Sequence, residues 1–370
     1  MGIYLDYNAS TPIAPQVVAA MRPFLTEHFG NPSSEHWAGR PARDALETAR
    51  AQIASLLRCY PDEVVLTSGG SEANNQVIKG LLGGEETGTR EVITTAIEHP
   101  AILEPCRVVA QHGVRVTTVG VDRDGVVDPD DIRRAITPQT ALISVMHANN
   151  EVGTIQPITE IAKIAREHEV RLHTDAAQSV GKVSVRVDDL GVDLLSLAGH
   201  KLYAPKGIGA LYVRRGVTLP SLVHGGGHEA GRRAGTESAL LAVGLGAACA
   251  LAETAPCTHG LFVLRERFWN ELRSRFGGQV LLNGHESQRL PNTLSVSFPG
   301  HLGEEILTQL DGIAASTGSA CHAGARTVSP VLTAMGLSVD VGLGTIRFSL
   351  GRGTRVSDIN EVLRQLEEII

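Results

Sequence analysis

The residue types that could do covalent chemistry are few in this chain. Among its 33 basic residues only Lys79, Lys163, Lys182, Lys201 and Lys206 are lysines, so an amine nucleophile has five candidates. Lys201, in SLAGHKLYAPKGIGALYV, follows an apolar run and precedes a Gly/Pro turn, the position where α/β sheets place their sites. With His200 beside it, such a lysine can form a Schiff base with an aldehyde cofactor if burial or neighbouring cations lower its pKa; the alternative is a surface lysine. Lys163 falls on the polar face of a helical pattern, Lys79 near a helix end, Lys182 after the turn residue Gly181 and Lys206 inside a Pro-Lys-Gly turn, and all four suit the role less well. Asp175 ends another apolar run, RLHTDAAQSVG, with Gln178 three residues later. A carboxylate there can pair with the protonated nitrogen of a pyridine ring, or it can simply cap a turn.

Three further positions belong to the same kind of chemistry. TSGGSEANNQVI, residues 67–78, reads as a strand end, a turn and a helix. The first backbone N–H groups of that helix, near Gly70 and Ser71, can hold a phosphate at the positive end of its dipole, although a serine there can equally be an N-cap. His99 and the pair Asn149–Asn150 close two more strand-like runs, where a histidine can stack on a ring or move protons or serve only structure. Arg347 lies mid-run in GTIRFSLGRGT and suits either capture of a carboxylate or a structural ion pair. Of five cysteines, Cys59, Cys106 and Cys249 fall in helical patterns, and Cys257 in PCTHG. Cys321 sits in the small-residue stretch AASTGSACHAGARTVSP, which reads as a mobile loop able to carry a thiol to a substrate.

The elements that must position these groups alternate between strand and helix. Strand-like runs at 63–68, 90–97, 114–121, 140–148, 170–177, 192–199 and 207–215 are interleaved with helix patterns at 41–58, 71–82, 128–136 and 159–169, the βαβ signature of a mainly parallel, helix-covered sheet. After the helix pattern 236–254 the rhythm changes to a long helix (261–275), two more strands and a closing amphipathic helix (357–370), which suits a smaller α+β domain. The expected division is a large domain over 12–255 and a small one built from 1–11 and 256–370.

Composition excludes several classes. A formal charge of −7 without a Lys/Arg cluster argues against a nucleic-acid surface. No run reaches the roughly 18–20 apolar residues of a membrane helix, and the start MGIYLDYNAS lacks a basic segment followed by an apolar one. A cytoplasmic protein with no membrane partner is the expectation. The cysteines lack CxxC spacing, so neither a disulfide framework nor a metal site is expected.

Taken together, LDYNASTP, GNPSSEHWAG, LTSGGSEANN, EHPAI, NNEVGTIQPI, HTDAAQSVGK, GHKLYAPKGIGALYV, GGGHEAGRRAGTES, RLPNTLSVSF, STGSAC and IRFSLGRGT span nearly the whole chain, and the sequence resembles the cysteine desulfurases of the class V aminotransferase group. The resemblance implies a fold-type I pyridoxal phosphate enzyme with a seven-stranded sheet. It implies that Lys201 forms the Schiff base, that Asp175 pairs with the ring nitrogen, and that His99 stacks on the ring and assists proton transfer. Gln178 and Asn150 would hold the ring hydroxyl and neighbouring groups. Gly70, Ser71 and His200 would bind the phosphate, with Thr236 reaching in from the partner of a homodimer. Arg347 would hold the carboxylate of L-cysteine, and Cys321 would take its sulfur as a persulfide and pass it to an acceptor protein, for iron–sulfur cluster assembly or other sulfur-containing products. Two features depart from the pattern. Ala198 stands where many desulfurases carry a phosphate-binding serine, and CHAGARTVSPVL after the reactive cysteine is similar to selenocysteine lyases, so a selenocysteine lyase is the close alternative. A class V transaminase or lyase that does not use Cys321 is the other.

Overall fold

The computed structural model describes residues 2–83, 90–318 and 327–370. Its strands are β1 (Ile3–Tyr4), β2 (Val64–Thr67), β3 (Glu91–Thr95), β4 (Arg115–Val119), β5 (Thr140–Ser144), β6 (Arg171–Asp175), β7 (Leu194–Ala198), β8 (Gly209–Val213), β9 (Leu281–Asn283), β10 (Thr293–Ser297), β11 (Ile313–Ala314) and β12 (Thr345–Ser349). Seven of them form one sheet in the order β2-β8-β7-β6-β5-β3-β4. The pairings among β4, β3, β5, β6 and β7 are parallel, and β8 runs antiparallel to both β7 and β2. This is the α/β sheet expected from the alternating pattern, and each of the seven runs read as strands contributes one strand to it.

Period-two alternation explains why the sheet is covered on both faces. Val64, Leu66, Leu195, Leu197, Ala210 and Tyr212 point into one apolar cluster together with the helices Arg40–Leu57, Ile158–Glu167 and Ala239–Thr254. Val65, Leu194, Leu211 and Val213 point the other way, against the helices Gly70–Leu82 and Pro100–Ala110. The parallel strands β3, β5, β6 and β7 therefore all end at one edge, and that edge carries Thr95, Ser144, Asp175 and Ala198 as last residues.

A third cluster gathers Leu5 with Phe268, Leu272, Val296, Phe298, Ile346, Phe348, Ile359 and Leu363. These come from the antiparallel sheet β12-β10-β9 and from the helices Thr258–Phe276 and Val356–Ile369. Short β1 pairs with β11, which brings the first residues of the chain to this second core. Among the described residues no single helix is long and apolar enough to cross a membrane. Ala239–Thr254 and its successor pass such a test only as a pair bent by 74°, and Ala242, Leu245, Ala248 and Cys249 of the first are buried in the protein's own core.

Candidate active site

The site forms where the sheet edge meets the N-terminal segment and β12. Lys201 closes the short turn Gly199–Lys201 immediately after β7. Glycine is required at its start, because a Cβ on Gly199 would stand 2.9 Å from the Ile208 carbonyl oxygen. The Lys201 Nζ donates to the backbone oxygens of Asn8 (2.6 Å) and Ala9 (2.8 Å). Burial, reinforced by the Arg347 guanidinium, lowers its pKa to about 8, so a large share of the amine is unprotonated in mildly basic solution, as a carbonyl-trapping lysine requires.

Asp175, the last residue of β6, is fixed on both oxygens: Asn74 Nδ2 donates to Oδ2 (2.7 Å) and the Ala177 backbone N–H to Oδ1 (2.9 Å). His99 follows β3 and caps the helix Pro100–Ala110, its Nδ1 accepting from the Ala101 N–H at 3.0 Å. That bond assigns the neutral ring's proton to Nε2. Burial against surrounding protein lowers the His99 pKa, with Lys201 adding to the effect and Asp175 opposing it. Burial and then Lys201 push His200 down to about 4, so it too is neutral near pH 7.

Gly70 and Ser71 open the 13-residue helix Gly70–Leu82, and no side chain caps it. Its first N–H groups are left for a ligand in the way an anion site needs. The helix start approaches β7 closely: a Cβ on Gly70 would lie 3.4 Å from the Ala198 methyl. Thr236 is exposed, three residues beyond Arg233, which pairs with Glu72 of the same helix at 2.9 Å. Gln178 is buried and its Nε2 donates to the Asn8 carbonyl at 2.9 Å. The two asparagines read together part company. Asn149 spends its side chain on the Ile97 carbonyl and the N–H groups of Glu151 and Val152, whereas Asn150 enters these networks, among the described residues, through its backbone oxygen, which accepts from Asn8 Nδ2 (3.2 Å) and Arg347 Nη1 (2.9 Å).

Arg347, mid-strand in β12, is buried and pairs with Asp6 at 2.7 Å. The two readings of this arginine meet here: it holds an ion pair, and it stands at the same crossing as Asn150, Asn8 and Lys201. Its backbone also bridges to Ser316, Arg347 N donating to the Ser316 oxygen at 2.6 Å. Cys321 lies outside the described residues. On the flanks of that stretch, Ser329 Oγ donates to the buried carboxyl of Glu151. Three of the other cysteines are poor nucleophiles by environment, since burial pushes the thiols of Cys59, Cys106 and Cys249 each up to about 12. Cys59 lies just past its helix rather than within it, because Arg58 ends Arg40–Leu57 in the left-handed conformation.

Several functional groups escaped the sequence reading. Asn74 sits on the buried face of its helix among Ala73, Val77 and Ile78, and a polar residue on an apolar face was the available signal. Lys182, set aside as a turn lysine, is buried; nothing in VGKVS announces that. Glu98 is buried beside the site, its pKa raised to about 8 chiefly by burial, and its Oε2 has no partner among the described residues.

A pyridoxal phosphate fits this donor set: an amine of depressed pKa, a carboxylate held at a strand end, a neutral histidine and an uncapped helix N-terminus converge on one edge. A model of the aminotransferase class-V family matches residues 3–362, and the chain belongs to that family, whose members are pyridoxal phosphate enzymes. Within it the similarity is to the desulfurases. The chain is 48% identical to "Cysteine desulfurase IscS" of Dictyoglomus turgidum, covering 100% of this chain and 94% of the relative, and 44% identical to that of Methanosarcina thermophila, covering 100% and 92%. Among solved structures it is similar to a "NifS-like protein" with a TM-score of 0.93 and 35% identity, covering 100% of this chain and 99% of the other. A structure described as "SspA in complex with cysteine" gives a TM-score of 0.84 and 40% identity over 94% and 98%.

Proposed function

We propose that this protein is a pyridoxal phosphate-dependent cysteine desulfurase, converting L-cysteine to L-alanine while its sulfur passes to Cys321 as a persulfide. The observation that carries the site assignment is the Lys201 amine, depressed to about 8 and seated at the same sheet edge as Asp175 and the uncapped helix Gly70–Leu82. Residues Gly70, Ser71 and His200 would hold the phosphate, Asp175 the ring nitrogen, His99 the ring face, Gln178 and Asn150 the ring oxygen and its surroundings, and Lys201 the aldehyde. The cofactor supplies an electron sink that loosens bonds at the substrate's Cα and, in turn, at its Cβ.

The chain's own groups do the rest. Arg347 orients the substrate carboxylate through its guanidinium, with Asp6 fixing that guanidinium from behind. Lys201 would take the Cα proton on Nζ and return a proton as the product forms. Asp175, held by Asn74 and the Ala177 N–H, would pair with the ring nitrogen. The Cys321 thiolate attacks the substrate sulfur: an S–S bond forms, the C–S bond breaks, and the carbon takes a proton to become alanine.

The finer features are proposed on these grounds. The cofactor-binding unit is 12–255 and the second unit 1–11 with 256–370, in keeping with Ala14 and Val17 packing into the first core and Leu5 into the second. A homodimer, with Thr236 reaching the partner's phosphate, accords with the exposed apolar side chains of Ile13, Val18, Leu25, Phe29 and Trp37. A sulfur-acceptor protein follows from the persulfide being a product that must leave. A cytoplasmic setting suits the free thiols of Cys59, Cys106, Cys249 and Cys257.

Two variants test the reading. Lys201→Ala abolishes covalent capture of the cofactor and alanine formation; Cys321→Ala keeps the cofactor's colour and loses alanine formation from cysteine. Undiminished turnover in Cys321→Ala would remove the sulfur-relay role and favour a class V lyase of another kind.

A further inference from the structure

The site's second lysine has no role in the reaction outlined above, yet it is among the most enclosed cations of the protein. Lys182 is 8% exposed and lines a small cavity with Lys201, Cys257, Tyr7 and Asn292. A buried ammonium is costly and could be replaced by an aliphatic side chain if packing were its whole purpose. Its Nζ donates to the Gln178 Oε1 at 3.0 Å and to the Asn8 Oδ1 at 3.3 Å. The same Asn8 Oδ1 also accepts from Asn292 Nδ2 at 3.0 Å.

The two partners of the Gln178 amide fix its orientation: Lys182 Nζ donates to Oε1, and the Asn8 carbonyl oxygen, which can only accept, faces the NH2 end. With Oε1 held by Lys182, the opposite end of the amide is its NH2 group. One of those N–H bonds goes to the Asn8 carbonyl oxygen, the oxygen that also accepts from Lys201 Nζ. The amide nitrogen therefore stands beside the catalytic amine, with one N–H left to give. Without Lys182 the amide is oriented only by the Asn8 carbonyl, an acceptor it shares with Lys201, and its Oε1 end loses the donor that holds it.

We infer that Lys182 is a positioning residue that locks Gln178 with its N–H end toward the cofactor and tethers Asn8 beneath Lys201, so that an anionic ring oxygen of the cofactor meets a donor and never a carbonyl. The inference rests on the proposed cofactor site and goes beyond it by assigning a residue that makes no contact with substrate. The charged and titratable groups acting on Lys182 are Lys201, Arg347 and Cys257; those acting on Lys201 are Arg347, Asp6 and Asp175. Among the described residues none of them donates to Gln178: Arg347 directs Nη1 to the Asn150 oxygen and Nη2 to Asp6.

The test is a spectroscopic pH titration of the holoenzyme's visible band in Lys182→Met, which keeps the volume and removes the donor. Loss of the donor to an anionic ring oxygen raises the midpoint by about one unit, a tenfold change in the proton equilibrium, and lowers kcat more than it changes KM for cysteine. Asn8→Ala removes the other acceptor of Lys182, shifts the midpoint in the same direction by less, and is read in its place if Lys182→Met does not fold. An unmoved midpoint in the folded variant overturns the inference. Wild-type protein that develops no visible band with pyridoxal phosphate would instead overturn the functional reading, so the two failures are distinguishable.

Discussion

Two buried polar clusters in this protein differ in whether their hydrogen bonds close. In the second core, Asn283 on β9 donates to Ser297 Oγ at 2.8 Å and to Ser295 Oγ at 3.3 Å, Ser297 and Thr345 share a bond of 2.7 Å, and Ser297 returns a bond to Asn283 Oδ1. These side chains join three strands and satisfy one another. At the edge of the seven-stranded sheet the bonds stop short: among the described residues the helix Gly70–Leu82 lacks a side-chain cap, Asn74 Oδ1 and Glu98 Oε2 are buried without partners, and Lys201 rests on backbone oxygens alone. A closed cluster contributes stability and register. An open one is kept at a cost of roughly 1–3 kcal/mol for each unsatisfied group, which is reasonable only where a ligand completes it.

The sharpest way to break this contrast is to change one residue in each cluster. Asp175→Asn removes the carboxylate proposed to pair with the ring nitrogen, and alanine formation is expected to fall on the order of 100-fold or more, with little change in thermal stability. Ser297→Ala should do the opposite, costing about 1–3 kcal/mol of unfolding free energy and leaving kcat and KM in place. Equal effects of the two on activity, measured by alanine release alongside thermal unfolding, would erase the distinction between open and closed clusters.

A smaller effect follows from the lysine's environment. Burial and Arg347 lower Lys201 to about 8, and the reactive form is the neutral amine. The second-order rate of cofactor capture by cofactor-free protein should therefore rise about tenfold per pH unit below pH 8 and level off above it. Stopped-flow absorbance from pH 6 to 10 reads this directly; a rate still climbing at pH 10 would place the lysine in an ordinary surface environment. The smallest change expected is at Ala198, whose methyl faces Gly70 at the start of the helix proposed to hold the phosphate. Ala198→Ser adds a donor there, and equilibrium dialysis should record a several-fold tighter cofactor complex, in line with about 0.5–1.5 kcal/mol for one hydrogen bond.

The sequence made the large sheet legible because its strands are bounded by turn residues and separated by amphipathic helices. Lys201, Asp175 and His99 were legible for the same reason, since each ends or follows a strand. Lys182 and Asn8 were not, because their roles come from contacts between segments 174 residues apart, and no local pattern encodes such a meeting. Asn74 falls between the two cases: a polar residue on an apolar helix face is visible, but its partner Asp175 is 101 residues away. Arg347 was legible as a costly mid-strand charge, and the ion pair with Asp6 accounts for how the fold tolerates it while the residue stands at the site.

The account joins two residues, Lys201 to loosen the carbon–sulfur bond and Cys321 to receive the sulfur. Mass spectrometry of the protein after incubation with L-cysteine tests that union most directly: a single added sulfur on the peptide containing Cys321, absent in Lys201→Ala, is the predicted result. Sulfur found on another cysteine, or alanine formed with Cys321 unmodified, would contradict it.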